Sequence, residues 1–324
     1  MKCYFCYTIK RFYNSFSPLQ LWQWLFSFFQ KKQPTEQANE QANEQPTEPQ
    51  QENHSKLIRV LTQNLTGKDF VIGDIHACFT AVDHALAAVN FNIKHDRLIC
   101  VGDLVNRGTE NIRALGYLNQ PWFYSVLGNH DWVHAFDESN NFTNSRINKD
   151  DLKWALSIRT KTNYQQLSTM LRQLPLLIEI QTANGLVGVV HGEVGSQFNS
   201  WDEAKLSLAQ INSTQNCQTN SLMIGRTRHQ KDNCATKIIK GVTMVISGHT
   251  LQKEPKWIGN SLFIDTGLVY GLKNTQRKSG LTLIDITNKR SYYFPMNNHK
   301  GIIDISAVKR SPLSVPTFLF RMAR

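Results

Sequence analysis

Three features of this 324-residue chain predict an α/β fold. Five short apolar runs between Lys56 and Pro295 each break off into a polar cluster, segments of helical spacing separate the first of them, and the composition (41% hydrophobic, 19% charged) is globular. The runs and their exits are "DFVIGDIH", "DRLICVGDLVNRG", "WFYSVLGNHD", "LVGVVHGE" and "VTMVISGHT". A length of 324 residues allows one large domain or two smaller ones with a substantial core.

The first element along the chain is "SPLQLWQWLFSFFQKK", residues 17–32, a helix capped by Ser17 with Pro18 in its first turn. Gln20, Gln23, Ser27 and Lys31 make one narrow polar stripe, and the rest is a broad apolar face rich in Trp and Phe. The segment is shorter and more polar than the roughly 20 apolar residues a bilayer span needs. No small-residue cleavage pattern follows, which argues against a secretory signal. Tryptophans with basic flanks suit a helix lying in a membrane interface; packing on its own domain or on a partner is the competing expectation.

Residues 33–55 read as a disordered Gln/Glu-rich linker. Glutamates at 36, 40, 44, 48 and 52 would stack like charges on one helix face, and Pro34, Pro46 and Pro49 interrupt it. The chemistry-bearing domain is therefore assigned to residues 56–296, after a 1–32 amphipathic segment, with 297–324 as a basic tail. Within 56–296, "TAVDHALAAVNF" and "NIRALGYLN" read as helices between the first three runs, and 150–174 is largely helical, a candidate lid or cap.

The net charge of +11 divides into +5 over residues 1–32, −5 over 33–54, +7 over 55–296 and +4 over 297–324. A basic central domain suits anionic substrates. Its cations are dispersed and no nucleic-acid module is present, so nucleic acid is not an expected partner. Six cysteines scattered through a long chain favour reduced thiols and a cytoplasmic setting, and "CYFC" lacks the second ligand pair that a zinc site needs.

Loops that leave adjacent strands on one sheet edge converge in space. Asp74 and His76 are two apart, so in extended backbone both point to one side. Asp103, Asn129, His191 and His249 take the corresponding exits, and together these six offer carboxylate, imidazole and amide donors for divalent transition metals. With Asp103 bridging, Asp74, His76 and Asp103 hold one ion, and Asp103, Asn129, His191 and His249 the other. Two such ions about 3.5–4 Å apart would activate water, hold phosphoryl oxygens and neutralise charge in phosphate ester hydrolysis. His130 is the candidate proton donor and Arg107 a bidentate phosphate grip. Any one motif alone is commonplace, since a lone GD is most often a turn; five in workable order are not.

"GDIHAC", "GDLVNRG", "GNHD", "HGE" and "GHT", in that order, resemble the phosphoprotein phosphatase group of the calcineurin-like metallophosphoesterases, whose patterns are GDxHG, GDxVDRG, GNHE, HA or HG, and GHT. The likeness spans about Phe70 to Asp285 and is strongest to the bacterial and phage serine/threonine protein phosphatases of the bacteriophage lambda type. It implies a central β-sandwich flanked by helices and two divalent ions, manganese first, with iron and zinc as alternatives. It implies the same six ligands, His130 as donor, and phosphate-binding arginines at Arg107 and at Arg226 in "MIGRTRH", with Arg228 as the fallback in register.

Three departures from the group's patterns stand out. Asn106 replaces the aspartate that in the group pairs with the donor histidine; an amide oxygen is expected to accept the imidazole N–H without supplying charge, lowering the imidazolium pKa. Asp131 replaces a glutamate, and Ala77 replaces a glycine, which calls for backbone that tolerates Cβ. Asn106 and Asp131 join the catalytic set on this reading. Both also fit symmetrical diadenosine tetraphosphatases, relatives that have GNHD and carry alanine where the group has aspartate. The main expectation is a protein phosphatase acting on phosphoproteins or small phosphoesters; a nucleotide polyphosphate hydrolase and a silent docking scaffold are the rivals.

Overall fold

A computed structural model describes residues 57–136, 147–208, 211, 220–230, 238–273, 279–297 and 302–313. The helix expected at 17–32, the 33–55 linker and "CYFC" lie outside the described residues.

Two sheets are built from short strands. One has the order β1 (Ile58–Leu61), β5 (Leu177–Thr182), β6 (Gly185–Val190), β7 (Met244–Ser247), β9 (Ser261–Phe263), β8 (Lys256–Ile258). The other runs β12 (Ile302–Ile303), β11 (Arg290–Asn297), β10 (Gly280–Asp285), β2 (Asp69–Ile72), β3 (Arg97–Cys100), β4 (Phe123–Ser125), with β13 (Lys309–Pro312) also on β11. The boundary drawn at 296 therefore falls inside a strand, and part of the basic tail extends the sheet: Tyr292 pairs with Arg310 and Met296 with Ile303.

Successive strand residues face opposite sides, and that alternation builds two apolar layers. Val71, Ile99 and Ile284 of one sheet meet Ile178, Val189, Ile246 and Leu262 of the other in a shared cluster. Their strand neighbours Phe70, Ile72, Leu98, Cys100 and Leu283 point outward into a second cluster with the helices. This is a β-sandwich flanked by helices, the arrangement the family resemblance implies. The strands read as unbroken apolar runs because both faces are covered.

Helix α1 (Phe79–Ala88) buries Phe79, Val82 and Leu86 on one face, and α2 (Arg113–Leu118) buries Ala114 and Tyr117. Phe79 and Tyr117 meet at 4.8 Å between ring centroids, and Phe91 and Trp122 at 5.3 Å. Helix α3 (Asn129–Phe136) follows β4 directly. A 3₁₀ turn at Lys149–Leu152, α4 (Lys153–Leu156) and α5 (Thr162–Leu171) make up the segment read as a cap. Helices α6 (Trp201–Leu208), α7 (Ser221–Ile224) and α8 (Thr227–Gln230) lie between β6 and β7.

β2, β3 and β4 are parallel, as are β6, β7 and β9, so chemistry carried on their exit loops collects at the carboxyl ends of the strands.

Candidate metal centre

Three of the exit loops leave extended conformation at the residue expected to ligate. His76, Asp103 and His249 have φ of 45°, 53° and 61°, in the left-handed region that non-glycine residues enter at a cost of about 1 kcal/mol or more. Asp74 and His76 thus converge through a turn and not, as strand periodicity predicts, by sharing one face of extended backbone. The loops are tied together by the main chain: His76 N–H donates to Asp103 O at 2.8 Å, and Gly248 N–H to His191 O at 2.9 Å. Two glycines are required by close approach, since a Cβ on Gly128 would lie 2.3 Å from Asp103 Oδ1 and one on Gly248 2.1 Å from Asp74 Oδ1.

Two donor groups result. Ligand-type atoms of His76, Asp103 and His130 lie within 4.8 Å of one another, and so do those of Asp103, His191 and His249. Asp103 belongs to both. Its Oδ1 is 3.2 Å from His191 Nε2 and its Oδ2 3.5 Å from His76 Nε2. Asn129 Oδ1 is 3.1 Å from His191 Nε2, and the Asp74 carboxylate accepts the His249 N–H at 3.1 Å. The two groups hold four of the six expected ligands, His76, Asp103, His191 and His249, with His130 in the first; Asn129 adjoins them through His191 and Asp74 through the His249 backbone.

The ring orientations suit ligation. His76 Nδ1 donates to Val105 O at 3.2 Å and His191 Nδ1 to Val101 O at 2.8 Å, which turns both Nε2 atoms toward Asp103. The His76 Nε2 lone pair meets the Arg107 guanidinium at 2.7 Å. A set of two carboxylates, three imidazoles and an amide oxygen, buried except for the half-buried Asn129 and His249 and with a cation drawn to one ligand nitrogen, fits a pair of divalent ions.

Electrostatics separate the members. Burial and the Asp265 carboxylate push Asp74 up. Burial alone would raise Asp103, but His191 and His130 hold it well below the usual range. His191 is drawn up to about 9, against burial, by the charge and hydrogen bond of Asp103. His76 falls to about 3 through burial and Arg107, and His249 to about 3 through burial and His191.

The arginines resolve clearly. Arg226 is exposed and donates to His249 O at 3.2 Å, at the rim of the cluster. Arg228 is 0% exposed, with Nε on Val194 O and its backbone N–H on Glu193, so a substrate cannot reach it and it drops out as a phosphate contact. Arg107 lies 3.7 Å from Asp151 and over the Tyr270 ring.

Asp131, placed in the catalytic set, is a clamp. Its carboxylate accepts from Leu104 N, Val105 N and Gly128 N, all buried, and burial with the Asp103 charge raises it to about 7. It binds the loop after β3 to the one after β4 and has no free oxygen to offer a substrate. Ala77 has φ of 55°, so the glycine-favouring conformation persists there with a methyl group in place.

Asn106 departs furthest from expectation. Its Oδ1 accepts from Trp154 Nε1 at 2.8 Å and lies 2.7 Å from His134 Nε2, while its Nδ2 is 3.1 Å from His130 Nδ1. The amide therefore donates to His130, where sequence reasoning had it accept.

The motifs did not single out four residues at the site. Asp265 follows β9 as the other aspartates follow their strands, a signal present in "LFIDTG". Glu193 is wholly buried and holds Thr227 Oγ1 and Arg228 N at 2.8 and 2.7 Å. His134 and Trp154 carry no local signature.

Residues 70–253 match the family model described as calcineurin-like phosphoesterase. Serine/threonine-protein phosphatase 2 of Salmonella typhimurium is 28% identical over 200 residues, 61% of this chain and 86% of that protein. A symmetrical bis(5'-nucleosyl)-tetraphosphatase of Hamiltonella defensa is 36% identical over a shorter stretch of 115 residues, 34% of this chain and 38% of that protein. Among solved structures, a cold-active protein-tyrosine phosphatase of a psychrophilic Shewanella superposes with a TM-score of 0.51 at 12% identity, covering 80% of this chain and 82% of that one.

Proposed function

Because this chain belongs to the calcineurin-like phosphoesterase family, and so to the metal-dependent phosphoric ester hydrolases, we propose that it is a serine/threonine protein phosphatase acting on phosphomonoesters. The observation that carries the metal assignment is Asp103, shared between two donor groups. On this reading Asp74, His76 and Asp103 hold one ion, and Asp103, Asn129, His191 and His249 the other. When bound, the pair supplies Lewis acidity toward the phosphoryl group and a water acidic enough to attack at neutral pH. Manganese is the proposed ion, with iron and zinc as alternatives, on a mixed oxygen and nitrogen donor set.

The chain's own residues do the remaining work. Arg107, beside His76, and Arg226, beside His249, grip the non-bridging oxygens. His130 is poised at the leaving oxygen, 4.9 Å from the His76 ring between centroids. Asp131 acts only by fixing the loops that carry Asp103 and Asn129.

A 28% identical relative named as a serine/threonine phosphatase, matched over 86% of its length, favours phosphoproteins and small phosphoesters. The tetraphosphatase relatives and the uncharged residue at 106 favour a nucleotide polyphosphate. Hydrolysis of para-nitrophenyl phosphate, a phosphoserine peptide and diadenosine tetraphosphate by chelator-treated protein, before and after manganese is restored, tests the proposal. Restored turnover highest on the phosphopeptide is expected; exclusive cleavage of the dinucleotide would overturn the protein-phosphatase reading, and turnover untouched by chelation would overturn the metal assignment. Inactivity on all three with ions bound would leave the docking scaffold.

Among the described residues no helix is long and apolar enough to cross a membrane. A cytoplasmic site with peripheral lipid contact through residues 17–32 remains our proposal. Cys78 and Cys100 are free and buried, Cys78 pushed up to about 12 by burial, in keeping with thiols that stay reduced.

A further inference from the structure

The orientation of Asn106 can be fixed because one neighbour is donor-only. An indole N–H never accepts, so the amide atom 2.8 Å from Trp154 Nε1 is the oxygen. His134 Nε2, 2.7 Å from that oxygen, must then donate as well, and its Nδ1 accepts from the Tyr164 hydroxyl at 3.0 Å. The amide nitrogen is left facing His130, 3.1 Å from Nδ1 and 3.4 Å from the His130 carbonyl. An amide NH₂ only donates, so Nδ1 of His130 presents its lone pair and the ring hydrogen belongs on Nε2. Of the five side chains in this chain of bonds, Asn106, His130, His134 and Tyr164 are buried and Trp154 partly so, and water has little access to substitute for any of them.

We propose that Trp154 and His134 are positioning residues which act through Asn106 to hold His130 in the tautomer whose hydrogen lies on Nε2. The kinetic part rests on the reading that His130 serves the leaving oxygen, here as a neutral hydrogen-bond donor through Nε2–H that keeps its hydrogen while solvent water supplies the proton. Trp154 belongs to the 149–171 segment and His134 to α3, so the segment packed over the site sets which ring nitrogen donates. An aspartate at 106 would accept from Trp154 and His134 alike but would also require a hydrogen on Nδ1, reversing the ring. Asparagine with two donors on its oxygen is thus a directional device and not a weakened aspartate.

The test uses the full chain, labelled with ¹⁵N-histidine and loaded with diamagnetic zinc, the His130 signals being identified by their loss in His130→Gln. Wild type should show a bare Nδ1 and a protonated Nε2; Asn106→Asp should move the hydrogen to Nδ1. Trp154→Phe, which keeps the ring and removes the anchoring donor, should blur the single pattern and lower kcat on para-nitrophenyl phosphate about fivefold or more with KM unchanged. In an Asn106→Ala background the same change should have no further effect. A protonated Nδ1 in wild type, or an equal loss from Trp154→Phe in both backgrounds, overturns the proposal. Should Trp154→Phe not fold, the wild-type and Asn106→Asp spectra decide alone. Full turnover in His130→Ala would overturn the leaving-group role of His130 and leave the tautomer result standing.

Discussion

Six of the eight non-glycine residues with positive φ among those described are His76, Ala77, Asp103, Asn106, Arg107 and His249, all in the exit loops. Backbone strain concentrated at one place is the mark of a site whose geometry the rest of the fold enforces. Asp103 is its hinge: it faces both donor groups, and its carboxylate also receives the His130 N–H at 2.9 Å. Asp103→Asn, nearly isosteric, should lower bound metal below two ions per chain and cut turnover at least about 100-fold, read by elemental analysis and kcat. His191 makes a second prediction. With its pKa near 9 it carries a proton at pH 7 in the ion-free chain, and Nε2 must lose that proton to ligate. Metal uptake at pH 7 should release at least about one proton, and apparent affinity should climb about tenfold per pH unit toward pH 9. Calorimetry in two buffers of different ionisation enthalpy checks it; identical heats would contradict it.

His134 adds a pH dependence of folding that is independent of metal. Burial, with Arg159 adding to it, lowers its pKa from 6.5 to about 3. Above about pH 6.5 the ring is neutral in both states and there is no penalty. Below that, the unfolded chain takes up a proton that the folded chain refuses, so stability falls as pH drops toward 3, by about 1.4 kcal/mol per unit. With chelator present, His134→Gln should reduce by about one proton the slope of stability against pH between 6 and 4, to which His76 and His249 also contribute; an unchanged slope would rule this origin out.

At the scale of elements, the short helices between β6 and β7 are held to the site by Glu193. Its buried carboxylate takes Thr227 Oγ1 and Arg228 N, while Gly192 N and Glu193 N reach Leu222 O and Ser221 O of α7. Arg226 lies between these anchors. Glu193→Ala strands a buried backbone N–H, which costs about 1–3 kcal/mol. KM for phosphoesters should rise several-fold with kcat less affected; a pure kcat loss would show that Arg226 does not depend on the staple. The 149–171 segment likewise reaches the site through Asp151 on Arg107 and Trp154 on Asn106.

For the whole molecule, the +7 central region follows in sequence a +5 aromatic-rich N-terminal segment and a −5 glutamate-rich stretch. Separate roles for these regions predict separable activities. Removing residues 1–56 should leave kcat/KM on para-nitrophenyl phosphate within about twofold and abolish sedimentation with anionic vesicles, if aromatic residues and lysines at 17–32 supply the lipid contact. Vesicle binding that survives the truncation would assign it to the basic central region.

By itself the sequence pointed to an α/β fold and to the side chains that gather at its strand ends, with the sandwich implied by the family resemblance. An apolar run long enough for a strand, followed at once by a polar exit, is a local signature, and five in succession dictate which side chains arrive together. Only the tertiary structure decided how those side chains are used. "MIGRTRH" offers two arginines two residues apart, yet burial removes Arg228 and leaves Arg226 at the rim. "GNHD" offers an aspartate beside a histidine, yet three backbone donors consume its oxygens. Asn106 takes its direction from His134 and Trp154, 28 and 48 residues away. The reason is physical: strand formation and loop exit are governed by neighbours in the chain, whereas the orientation of an amide or the charge of a buried ring is set by donors and acceptors that folding alone brings within 3 Å.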